Sequence, residues 1–131
     1  MNDTDKEALI AAMLAVAGSD GSFDDVESNQ IVLNAMQERL GITEDKFREI
    51  VNKFLTITVT QGLAKVAMFA RDNVSATYRN KAFHYAVDVA VCNDGILGEN
   101  QQQVLDYLAA GWGVSDGDKA SAITEAKKKY L

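Results

Sequence analysis

The sequence predicts an all-α protein, a single compact bundle of about seven helices, and three observations predict it. Apolar residues recur at i, i+3, i+4 and i+7 through most of the chain, and no alternating strand pattern competes. Proline is absent from all 131 residues, so nothing forces a break inside a helix. Capping residues stand before the apolar runs and glycines after them, which is how helices are punctuated.

The first helix starts from a capping box at Thr4-x-x-Glu7, turns Leu9, Ile10, Met13, Leu14 and Ala17 inward, and ends near Gly18. Asp24-x-x-Glu27 caps the second, which carries Val26, Leu33, Met36 and Leu40 on one stripe and stops at Gly41. Thr43 caps the third, where Phe47, Ile50, Val51, Phe54 and Leu55 follow the amphipathic template. "TITVT", Thr56 to Thr60, is β-branched and reads as the frayed end of that helix or as a connector. Leu63, Val66, Ala67 and Ala70 mark the fourth helix. Ser75 caps a long fifth helix through Phe83, Ala86, Val87, Ala90 and Val91. The sixth carries Val104, Leu105, Leu108 and Trp112 and stops at Gly111 or Gly113. Ser115 opens the last, with Ile123, Ala126 and Tyr130 inward and three lysines at its negative end.

Residues 1–131 read as one domain, because no linker or low-complexity segment divides them and the length suits one core. The net charge of −6 disfavours nucleic acid, whose phosphates it repels, and suits cations or basic protein partners. The single cysteine, Cys92, excludes a disulfide framework. The start "MNDTDKE" lacks a signal peptide's basic character, and "ALIAAMLAVAG" is about half the length a bilayer requires. A cytoplasmic protein without a transmembrane segment is the expectation.

One piece of punctuation occurs twice. "VAGSDGSFDDVE" and "VAVCNDGILGENQ" each place Asp-Gly between an apolar run and an acidic helix start. At a shift of 74 positions, the distance from Asp20 to Asp94, Leu9 falls on Phe83, Met13 on Val87, Val16 on Ala90 and Gly21 on Gly95. After a shift of two residues in register, "LGITED" falls on "WGVSDG". The chain therefore reads as a degenerate duplication of helix, bend and helix.

These two segments resemble the Asp-Gly segments of TerB-like tellurite-resistance proteins, and the resemblance covers most of the chain. It implies a compact helical domain tied to bacterial stress responses, with a divalent-metal site of acidic residues. Asp20 and Asp94 match the motif aspartates and Glu27 the first motif's glutamate. The second copy departs from the pattern, with Gln101 in place of a glutamate and Gly98 in place of a capping side chain.

The residues themselves allow two roles for the acidic bends. An Asp before Gly can accept N–H bonds within its own turn, and acids in a first helical turn complement the helix dipole. Alternatively, Asp20, Asp94, Glu27 and Glu99 offer the oxygen ligands that Mg2+ or Ca2+ takes. Two carboxylates about 4 Å apart repel by roughly 4 kcal/mol at an effective dielectric of 20, and a divalent cation reverses that sign. An EF-hand fails on spacing, since its first ligand would fall on Val16 or Ala90.

Other chemistry finds less support. His84, Asp88 and Cys92 share one helix face and read either as a soft-metal stripe or as a polar edge of the core. No phosphate-binding loop occurs, and one His beside one Cys does not make a nucleophilic site, so the expectation is a non-enzyme. "RDNVSATYRNK", Arg71 to Lys81, is the most basic internal stretch and reads as a solvated connection. The function expected is an acidic binding or adaptor module; the alternative is a purely structural interaction domain whose aspartates shape turns.

Overall fold

The computed structural model describes residues 2–19, 37, 39–91 and 97–130. Six α-helices and one 3-10 turn lie among them, and no strand, so the all-helical expectation holds. They are α1 (Asp3–Gly18), α2 (Glu44–Gln61), α3 (Leu63–Asn73), the 3-10 turn Ala76–Tyr78, α4 (Arg79–Val91), α5 (Glu99–Trp112) and α6 (Asp116–Tyr130). The helix expected from Asp24 begins outside the described residues. Its end is described: Gln37, Arg39 and Leu40 are helical and Gly41 terminates them. No described helix is long and apolar enough to cross a membrane.

The run Ala8–Ala17 explains the architecture. Every residue in it is buried, whereas the sequence suggested one inward stripe. A helix apolar on all sides must be covered on all sides. α1 is accordingly the central rod, packed most heavily against α3 and α4 and also against α2 and α5. Its alanines let neighbours approach closely, while Leu9, Ile10, Met13 and Val16 fill the space between them. α6 lies farther out and packs on α4, burying Ala122 and Ala126.

The start of α1 differs from the expected box. Asn2, two residues earlier than Thr4, is the N-cap: its Oδ1 accepts from Asp5 N at 2.7 Å, and Asn2 N donates to Asp5 Oδ2 at 3.3 Å. The reciprocal logic is that of a capping box, with Asn and Asp in place of Thr and Glu. The cap at Thr43 stands where expected, its Oγ1 accepting from Lys46 N at 3.2 Å.

"TITVT" is neither frayed nor a connector. α2 runs through it to Gln61, and the hydroxyls of Thr56, Thr58 and Thr60 each donate to the carbonyl four residues back. Those bonds satisfy the threonines locally, and the packing of Phe54 on Phe69, with ring centroids 5.2 Å apart, holds α2 against α3. Gly62, at φ +94°, makes the turn between them.

The candidates for the stop of α5 separate cleanly. Gly113 ends the helix at φ +68°, while Gly111 lies inside it, where a Cβ would collide with the Arg71 side chain of α3. α3 and α5 are joined there: Trp112 Nε1 donates to the Arg71 carbonyl at 3.1 Å, and the Arg71 guanidinium lies 4.4 Å from the Tyr107 ring centroid.

Candidate functional site

Three of the four carboxylates expected to take a cation, Asp20, Glu27 and Asp94, lie outside the described residues, as does Cys92. Glu99 is described. It is exposed in the first turn of α5, where its charge faces the positive end of the helix dipole. Among the described residues no three His, Cys, Asp or Glu side chains gather as a metal-holding group.

What the structure does place is the approach to each bend. α1 ends at Ser19, whose N–H and Oγ both turn back to the Val16 carbonyl, at 3.3 and 2.7 Å. α5 begins at Gly98, which has no side chain to offer as a cap. Gln101 supplies the other half of a capping box: its Oε1 accepts from Gly98 N at 2.9 Å, and the residue is buried. The glutamine at the position expected for a glutamate thus serves the helix start. Ser19 and Asn100 line one open cleft of about 520 Å3, whose apolar walls are Ala67 and Met68 of α3 and Val104 and Tyr107 of α5. The residue before Asp20 and the helix that follows Asp94 therefore adjoin the same space.

The His84 stripe borders a second, smaller cleft. His84 is exposed and Asp88 half-buried, and both line about 220 Å3 of space with Arg39, Tyr85 and Glu125. The Arg39 guanidinium lies 5.9 Å from the Tyr85 ring centroid and the Lys81 ammonium 5.8 Å from it. Arg39 together with Asp88 and Glu125 gives this cleft a mixed charge.

Among the described residues, the most constrained carboxylate is one the sequence did not single out. Asp5 is 3% exposed, yet it carries its charge inside the fold. Its Oδ1 accepts from Ser75 N at 2.8 Å and Ser75 Oγ at 2.7 Å, while Oδ2 accepts from Asn2 N. Burial pushes the carboxyl up, but the bonds from Ser75 and Asn2 outweigh it and hold the group below its ordinary value. The Ser75 hydroxyl, expected to cap a long helix, is spent on this bond instead. The chain makes a 3-10 turn before α4 begins at Arg79. The only local signal for Asp5 was the Asn2-x-x-Asp5 spacing; its link to Ser75 spans 70 residues and has no local trace.

No family model, curated protein or solved structure matches the chain.

Proposed function

We propose that the chain is a non-enzymatic acidic binding module of the TerB-like, tellurite-resistance type, whose two Asp-Gly bends take one divalent cation of the Mg2+ or Ca2+ class and present it to a protein partner. The observation that carries this reading is the shared cleft. Ser19 immediately precedes Asp20, and Asn100 follows Asp94 by six residues, so the described ends of both segments border one space. The net charge of −6 favours a cation there, and oxygen-only donors select a hard one. The test is calorimetric and NMR titration of the full chain with Mg2+ and Ca2+. Saturable binding is expected, with shifts centred on the two bends and a higher Tm. At a hundredfold excess over Kd the stabilisation is about 2.7 kcal/mol. Asp20→Asn and Asp94→Asn each abolish it. Unchanged spectra at millimolar ion overturn the reading.

A second reading is favoured by Gln101. Its side chain caps α5, and Glu27 occupies the equivalent place 74 positions earlier. On this reading the chain is a structural interaction domain in which the acidic bends only shape turns and cap helices. Glu27→Gln separates the two. A glutamine preserves a capping bond, so on the structural reading stability is unchanged and neither chain responds to the ion, whereas a ligand role makes the variant's ion response weaker than the parent's.

A further inference from the structure

We draw no further inference here: the strongest candidate, the apolar cleft between α3 and α5 walled by Ala67, Met68, Val104 and Tyr107, opens beside the end of α1 where the described residues stop, and nothing in the structure shows what covers it.

Discussion

α1 and α4 carry matching patterns 74 positions apart but occupy different places in the fold. Ala8 and Ala82, Leu9 and Phe83, Ala12 and Ala86, Met13 and Val87, and Val16 and Ala90 are buried pair by pair. Within Ala8–Ala17 two pairs break the match. Ile10 is fully buried while its counterpart His84 is exposed, and Leu14 is buried while Asp88 is half-buried. α1 has neighbours on every side; α4 leaves one stripe facing the cleft beside α6. Polarity in this pair of helices therefore reports position. Where a helix becomes the central rod, its fourth face turns apolar, and where it stays peripheral, that face keeps His and Asp.

The exits of the two segments show the opposite, a close local match. Gly41 and Gly113 sit at φ +65° and +68°, and the next N–H, from Ile42 or Val114, reaches back to Gln37 O at 3.3 Å or Ala109 O at 3.0 Å. This is the Schellman bond, and each time a hydroxyl residue follows to cap the next helix. Thr43 Oγ1 accepts from Lys46 N, and Ser115 Oγ accepts from Asp118 N at 3.1 Å. The agreement is local to the exits, and the Asp-Gly bends between lie outside the described residues.

The contrast between α1 and α4 is broken most forcefully at Ile10. Ile10→Ala is expected to cost about 2–5 kcal/mol in urea denaturation, and His84→Ala less than about 0.5 kcal/mol, because only the first opens a cavity. Equal costs would remove the distinction between central and peripheral helix.

Next in size is Asp5, which lies 74 positions before Arg79. Both side chains hold the same turn, Asp5 through Ser75 and Arg79 through its Nε donating to the Val74 carbonyl at 3.2 Å. Asp5→Ala removes the charged acceptor of both Ser75 donors and is expected to cost about 1.5–3 kcal/mol at neutral pH. The sign of its pH dependence follows from the lowered value in the folded state. Its contribution is complete above the unfolded carboxyl value and disappears as pH falls through the lower, folded one. Acid titration of stability is therefore expected to be steeper below about pH 4 in the parent chain than in Asp5→Asn.

The exits are tested by smaller effects. Gly41→Ala and Gly113→Ala force a side chain into the left-handed region and are expected to lose about 1–2 kcal/mol each, by nearly equal amounts. Unequal losses would show that the two turns match in geometry but not in the load they bear. Smallest is the pair Thr43→Ala and Ser115→Ala, each expected to cost about 1 kcal/mol in thermal unfolding.

What was legible in the sequence was local. Thr43, Gly41 and the inward faces of α2, α3 and α5 were readable because a cap, a stop or a period of 3.6 is written within a few residues. The Thr4 box was misplaced because Asn2 and Asp5 satisfy the same geometry two residues earlier. "TITVT" misled because propensity is a weak guide once Phe54 and Phe69 fix α2 on α3. The all-round burial of α1 could be seen only once its neighbours were placed, since an apolar run does not say how many helices will cover it. The candidate site was legible as a pair of acidic segments, and the structure adds that Ser19 and Asn100 adjoin one cleft. The Asp5–Ser75 tie was illegible because its partners are far apart in the chain.

That separation governs when the tie forms. Joining positions 5 and 75 closes a loop of 70 residues, and loop closure on that scale is won only after nearer contacts have narrowed the search. The bond is expected to form on the late side of the folding barrier. Its loss is expected to quicken escape from the native state far more than it slows entry, so a buried carboxylate near the start of the chain sets how long the finished molecule lasts.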